Sequence, residues 1–493
     1  MLRNWYLTLV LERAAGVPLH LQLVQAIIQE IQRGRLLPGT ALPGSRTIAE
    51  ALALNRKTVV QAYDELLAQG WIETEARRGA FVSTRLPLQQ EGNDDPASVQ
   101  LPSSFARALP ENNAMPYGDL AANVAGVIRF SDGVPDARLV PFDVLSRAYR
   151  HALVFSARAN RLAYDDPRGN SLLRVAIADM LRAERGMGVT EAQICVVRGS
   201  QMGIYLSARL LAASDGCVVM EDLSYPPARE AFASFGIALE YIPQDNSGMD
   251  LDALAALCAR RKVSAIYTTP HHQFPTTVML SVERRIRLLE LARQHDFVII
   301  EDDYDHEFHF SHSPMLPLAS MDTDGRVIHI GSLSKVLAPG LRLGYIAAPE
   351  TVINRCMRDI ILIDRQGNSL TELAVAELMR TGEIKRHVRR SLKIYKERRD
   401  YAVTRVREMI PSAVFTIPPG GLALWLELDA RMDMQQLQRD ALVQGVAILT
   451  GQLFSGTGSA IPALRLGYAS LDQQELDKGL AGLALAIEQQ IGA

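Results

Sequence analysis

The chain has 493 residues, more than one ordinary hydrophobic core organises, so two or more domains are expected. Hydrophobic residues make up 48%, charged residues 22%, and the formal charge is −3, which excludes a disordered chain and a uniformly basic one. Four scattered cysteines (Cys195, Cys217, Cys258, Cys356) form no CxxC pair or zinc-type cluster. No secretory leader is read at the start, and no apolar run approaches the roughly 20 residues of a membrane span. A cytoplasmic protein with reduced thiols, and no membrane contact, is expected.

Three textures follow one another. Residues 1–84 alternate helical patterns with tight turns, residues 85–125 have a linker's composition, and residues 126–493 interleave short apolar runs with amphipathic stretches. In the first region, Leu21, Val24, Ile27 or Ile28, and Ile31 predict one helix, which Leu37-Pro38-Gly39 ends. Ser45 is the expected N-cap of a short second helix running to Leu52. Asn55 is the expected cap of a third, from Arg56 to about Gln69, which Gly70 stops. Trp71-Ile72-Glu73 and Ala80-Phe81-Val82 predict a hairpin around Arg77-Arg78-Gly79.

Three short helices and a hairpin are the order of a winged helix-turn-helix, with the third helix presented to double-stranded DNA. Arg56, Lys57 and Thr58 open that helix, Arg46 lies on the one before it, and Arg77, Arg78 and Gly79 lie on the wing. Residues 1–85 hold ten Lys and Arg against seven Asp and Glu, an excess of +3 that leaves about −6 for the remainder. A helical protein-interaction module with incidental surface arginines is the competing reading of the pattern alone.

In the large region, Ile194–Val197, Val218–Met220, Ala265–Tyr267, Val298–Ile300 and Val327–Ile330 predict buried strands, and Val282–Gln294 predicts a helix. An α/β domain with a mainly parallel sheet is expected. The strand ends carry the groups that pyridoxal phosphate requires: a lysine, a carboxylate for the pyridine nitrogen, a hydroxyl for O3′, a stacking ring and a phosphate clamp. Gly199-Ser200-Gln201 opens a helix after a strand and suits a phosphate. Tyr225 offers the ring, Asp302 the carboxylate, Tyr304 the hydroxyl and Lys335 the amine, while Ser332, Ser334 and Arg342 frame the lysine. Each piece alone has an ordinary structural reading; their conjunction in order points to the cofactor. No metal is expected, although His306 and His309 beside the acidic strand end leave that alternative open.

Leu42-Pro43-Gly44-Ser45-Arg46, Asn55-Arg56-Lys57-Thr58-Val59, Ala62-Tyr63 and Gly79-Phe81-Val82 resemble the GntR family of DNA-binding domains. Gly44 stands where that family commonly has Ser. Tyr164-Asp165-Asp166-Pro167-Arg168-Gly169, Thr269-Pro270-His271-His272-Gln273-Phe274-Pro275-Thr276, Glu301-Asp302-Asp303-Tyr304-Asp305, Ser332-Leu333-Ser334-Lys335 and Leu464-Arg465-Leu466-Gly467-Tyr468 resemble fold-type I aminotransferases. The tandem resembles the MocR/GabR group of regulators. Thr277 replaces a usual Gly, and two residues rather than one precede Pro167 in the Tyr164 motif.

The resemblance implies Lys335 as the Schiff-base lysine, Asp302 at the pyridine nitrogen and Tyr304 at O3′. It places Ser200, Gln201, Ser332 and Arg342 near the phosphate and Tyr225 on the ring. It gives Arg465 the carboxylate of an effector and sends Tyr164 to the phosphate of a partner subunit, in a head-to-tail, domain-swapped homodimer. It implies a transcription regulator that binds promoter DNA and senses pyridoxal phosphate or an amino compound through an internal or external aldimine, with weak or no transaminase turnover. A working aminotransferase with an accessory DNA-binding head is the alternative. Effector, operator, and activation against repression are not encoded legibly.

Overall fold

The computed structural model describes residue 11 and residues 16–75, 78–86, 126–131, 133–158, 163–310 and 315–491. Most of the expected linker, and Arg77 of the expected wing, lie outside the described residues. Two compact units divide the chain between Asn113 and Ala114. Among the described residues no helix is long and apolar enough to cross a membrane.

The first unit holds helices α1 (Leu19–Gln32), α2 (Ser45–Ala51) and α3 (Arg56–Ala68) and an antiparallel hairpin of β1 (Ile72–Glu75) and β2 (Gly79–Val82). The face of α1 that turns inward carries Leu23, Val24, Ile27 and Ile31. Leu21, expected inside, is 38% exposed, and Leu23 takes its place. Both leucines are compatible with a 3.6-residue period, and the face is decided by packing against Val59, Ala62 and Leu66 of α3.

The large unit is built on a seven-stranded sheet. In chain order its strands are β3 (Ile194–Val197), β4 (Cys217–Glu221), β5 (Leu239–Ile242), β6 (Val263–Thr268), β7 (Val298–Asp303), β8 (Val327–Ser332) and β9 (Gly344–Ala347). Their order across the sheet is β3-β9-β8-β7-β6-β4-β5. Only β9 runs against its neighbours, on both sides, and the other pairings are parallel. Strands covered on both faces need apolar side chains in both directions, which is why they read as unbroken hydrophobic runs.

Helices α4 (Phe142–Arg158), α5 (Ser171–Arg185), α6 (Ser200–Leu211), α7 (Pro226–Ala233) and α8 (Val282–His295) supply the cover, with α9 (Glu350–Ile363) and α10 (Ser369–Arg380). Helices α6, α7 and α9 pack on one face, and α5, α8 and α10 on the other. The carboxyl ends of β3, β4, β6, β7 and β8 converge, the edge where open α/β sheets bind ligands. A smaller antiparallel sheet of β10 (Ala423–Glu427), β11 (Leu449–Thr450) and β12 (Ala463–Gly467), with β12 central, lies toward the carboxyl terminus.

Candidate functional site

In the amino-terminal unit, the Asn55 side chain accepts the Lys57 amide at 2.9 Å and so caps α3. The expected cap of α2 is corrected. Gly44 holds the N-cap position without a side-chain bond, and Ser45 is the first helical residue. Its hydroxyl instead accepts Arg56 Nε at 3.4 Å, linking the two helices. The Tyr63 hydroxyl donates to the Pro43 carbonyl at 2.7 Å, and burial raises it above its usual range. This ties α3 to the turn before α2. Arg46, Arg56 and Lys57 are exposed and Thr58 is half-buried, leaving the start of α3 open to a ligand. On the wing, Gly79 is exposed, and Arg78 pairs with Glu75 and lies 5.3 Å from the Phe81 ring centre.

In the large unit, Lys335 follows β8, where Nζ donates to the Gly133 carbonyl at 3.4 Å and lies 4.4 Å from the Tyr304 ring centre. Asp302 is the last residue but one of β7 and is 3% exposed. One of its carboxylate oxygens accepts the Tyr267 hydroxyl at 2.8 Å, and Oδ1 has no hydrogen-bond partner. Burial pushes the Asp302 carboxyl up to about 7, against the opposing pull of Tyr267 and Lys335. Tyr304 donates to the His272 carbonyl at 3.0 Å, and burial raises its hydroxyl.

Gly199 precedes α6 with φ +77°, and a Cβ there would lie 3.0 Å from the Arg342 guanidinium. Arg342 donates to the Arg198 carbonyl at 3.0 Å, so its charge lies beside the amino end of α6. Helix amides, a guanidinium and the half-buried Ser200 make an anion cradle. Gln201 donates to the Pro227 carbonyl at 3.1 Å while its Oε1 stays unbonded. Tyr225 packs edge-on to Phe274 at 5.1 Å. Ser332 is buried at the end of β8. The Ser334 hydroxyl donates to the Leu343 carbonyl at 3.0 Å and accepts the Leu343 amide at 2.8 Å, which commits it to closing the lysine loop.

Arg465 on β12 is 1% exposed, donates to the Pro275 carbonyl at 2.6 Å and stacks 4.3 Å from the Phe274 ring centre. Gly133 connects it to the lysine: its carbonyl accepts Lys335, and a Cβ on it would lie 3.3 Å from Arg465 Nη2. Tyr164 is not brought into this group. It is 76% exposed, with the Arg365 guanidinium 4.9 Å from its ring centre. Sequence reasoning missed Gly133 and Tyr267; for Tyr267 the pairing of β6 with β7 was the available signal, since Tyr267 is opposite Ile300, two residues before Asp302.

The fold is that of the pyridoxal phosphate-dependent aminotransferases. The family "Aminotransferase class I and II" matches residues 125–483, and "Bacterial regulatory proteins, gntR family" matches residues 19–82. The probable rhizopine catabolism regulatory protein MocR of Rhizobium meliloti is 30% identical over 97% of this chain and 95% of its own length. The HTH-type transcriptional regulator TauR of Rhodobacter capsulatus is 30% identical over 94% and 96%. A solved multiple substrate aminotransferase from Thermococcus profundus superposes with a TM-score of 0.74 at 27% identity, over 79% of this chain and 99% of that one. The chain belongs to the MocR type of regulator, a GntR helix-turn-helix domain joined to a class I and II aminotransferase domain.

Proposed function

We propose that this protein binds promoter DNA through its amino-terminal unit and adjusts that binding when its large unit takes up pyridoxal phosphate, alone or with an amino compound. One observation carries the reading: a single chain holds an exposed cationic helix start and a cradle whose central carboxylate is buried and keeps an oxygen free. The residues fit the cofactor. Asp302 Oδ1 is the orphan acceptor that a protonated ring nitrogen would satisfy, and the start of α6 with Arg342 suits a phosphate. When bound, pyridoxal phosphate supplies an aldehyde carbon that condenses with amines and a ring that withdraws electrons.

The chain's own groups divide the remaining work. Lys335 Nζ is the amine of attachment. Asp302 holds a proton on the ring nitrogen, and the Tyr304 hydroxyl meets O3′. Ser200, Gln201, Ser332 and Arg342 hold the phosphate, with Gly199 leaving room for it, and Tyr225 covers the ring. Arg465 grips the effector carboxylate with two parallel N–H bonds. Tyr164, exposed on its own chain, serves the partner subunit of a homodimer. Arg46, Arg56, Lys57, Thr58, Arg78 and Gly79 face the duplex, with Arg77 assigned there on sequence alone. The effector switches DNA affinity only by favouring one arrangement of the two heads by a few kcal/mol.

The intact set of Lys335, Asp302 and Arg465 supports a second reading, a working aminotransferase. Absorbance of the full-length protein with pyridoxal phosphate, before and after borohydride, tests the cofactor assignment. A reducible band is expected in wild type and absent in Lys335→Ala; a variant that keeps the band removes the lysine from its role. Promoter binding titrated with amino compounds then separates the readings. A shift in DNA affinity without release of keto acid supports sensing, whereas rapid release with unchanged DNA affinity supports the enzyme.

A further inference from the structure

Successive strand residues point to opposite faces, so Asp303 is turned away from Asp302, toward α5 and its Arg185. Three histidines gather around it: His271 from the segment after β6, His306 from the turn after β7, and His329 on β8. Their exposures are 3%, 5% and 0%, and Asp303 is 2% exposed. One donor atom from each of His271, Asp303 and His306 lies within 4.8 Å of the other two. The His271 and His306 rings stack with centres 4.6 Å apart. His306 Nδ1 comes within 2.9 Å of Asp303 Oδ2, and His329 Nε2 within 4.0 Å.

These groups share a deficiency. Both ring nitrogens of His271, His306 Nδ1, His329 Nε2 and Asp303 Oδ1 are buried without a hydrogen-bond partner. His306 Nδ1 is paired with Asp303 Oδ2 at 2.9 Å, so the atoms left wholly unserved are the two His271 nitrogens, His329 Nε2 and Asp303 Oδ1. Unsatisfied buried polar atoms are costly, and their concentration at one point indicates a missing occupant. The surroundings favour a cation. Glu301, Asp303 and Asp305 are each 2% exposed or less, with Glu307 close by; of the two buried guanidiniums, Arg185 pairs with Asp303 and Glu307, and Arg285 donates to the Leu280, Leu316 and Pro270 carbonyls.

We propose that His271, Asp303 and His306 form a site for one divalent transition ion of the zinc class. Two imidazoles and a carboxylate suit zinc, cobalt or nickel, and they disfavour calcium and magnesium, which prefer oxygen donors throughout. Asp303 lies between Asp302 and Tyr304, so an ion held there fixes from behind the strand end that carries both groups. The site is separate from the cofactor cradle and does not depend on the regulatory reading.

The test uses full-length protein, cofactor-loaded and cofactor-free, stripped with a chelator, dialysed against zinc chloride and analysed for retained metal. One zinc per chain is expected in both forms, with retention at least about tenfold weaker in His271→Gln and in His306→Ser. X-ray absorption on zinc-loaded wild type needs no variant and decides the matter should either variant fold poorly. It should show imidazole nitrogen and carboxylate oxygen at about 2.0–2.2 Å. Absence of retained zinc, equal retention in folded variants, retention only with cofactor, or a spectrum without imidazole would each overturn the site.

Discussion

The two units place their working groups in opposite environments. In the amino-terminal unit the cations Arg46, Arg56 and Lys57 stand exposed over an apolar core, whereas in the large unit Asp302, Tyr304, Ser332 and Arg465 are each 7% exposed or less. Exposed charges can be exchanged at little cost to folding. Buried ones are bound to the fold through their partners, so function and stability change together. The difference suits the proposed ligands: a duplex would be met at a surface, and a small cofactor would be enclosed.

The largest effect that would break or sharpen this contrast concerns Asp302. Its carboxyl is raised from 3.8 to about 7 by burial, so the folded chain holds that proton more tightly than the unfolded one. The corresponding stability is present at low pH and is lost as pH rises from about 4 to 7, by at most about 4 kcal/mol. Asp302→Asn should flatten that part of the profile in cofactor-free protein, read by urea unfolding at several pH values. The slope that remains is the balance of Glu221, raised by burial to about 7 and acting in the same sense, and His271, lowered by burial to about 3 and acting in the opposite sense. An unchanged profile would show that Asp302 is less enclosed than its neighbours imply. Next comes Arg465→Ala, which should weaken binding of a carboxylate-bearing amino compound by about 3 kcal/mol, roughly a hundredfold. Arg465→Lys should not restore it, because an ammonium lacks the planar fork. Effector titrations followed by absorbance check both variants, and full affinity in Arg465→Ala would end the carboxylate assignment.

The same contrast explains what was legible in the sequence. Strands such as Ile194–Val197 and the Val298–Ile300 part of β7 were readable because two-sided burial demands continuous apolar residues, and the Asn55 cap was readable because it acts within two positions. Leu21 and Ser45 were misplaced because Leu21 and Leu23 both stand at helical spacing from Val24 or Ile27, and a one-residue cap shift leaves the local pattern nearly intact. The contacts of the large unit were hidden by distance along the chain. Tyr267 reaches Asp302 across 35 positions, and Gly133 meets Lys335 across 202. His271 and His306 belong to different strand-end segments, and only the pairing of β6 with β7 brings those segments together.

For the exposed side of the comparison, Arg56→Ala with Lys57→Ala should lower the salt dependence of promoter binding by about two counterions. Urea unfolding should change by no more than about 0.5 kcal/mol, since neither residue is part of the core. A much larger loss of stability would mean that these cations support α3 as well as face the duplex.

The smallest effect compares the two units directly, through one strained residue in each. Ala53, exposed in the turn before α3, has φ +52°, and Thr277, 7% exposed beside the Phe274-Pro275 segment, has φ +64°. An L-residue in the left-handed region costs about 1–2 kcal/mol, and glycine removes that cost while adding about 0.5–1 kcal/mol of unfolded-chain entropy. Ala53→Gly should therefore gain only a few tenths of a kcal/mol. Thr277 is β-branched, for which this conformation is rarer still, so Thr277→Gly should gain about 1 kcal/mol in urea unfolding. The Thr277 amide donates to the Gln273 carbonyl at 2.7 Å, which glycine retains, so the comparison measures side-chain strain rather than a lost bond. A larger gain at Ala53 would place the greater strain in the amino-terminal unit. A larger gain at Thr277 would place it beside the buried arginine, where the surrounding contacts are strong enough to hold it.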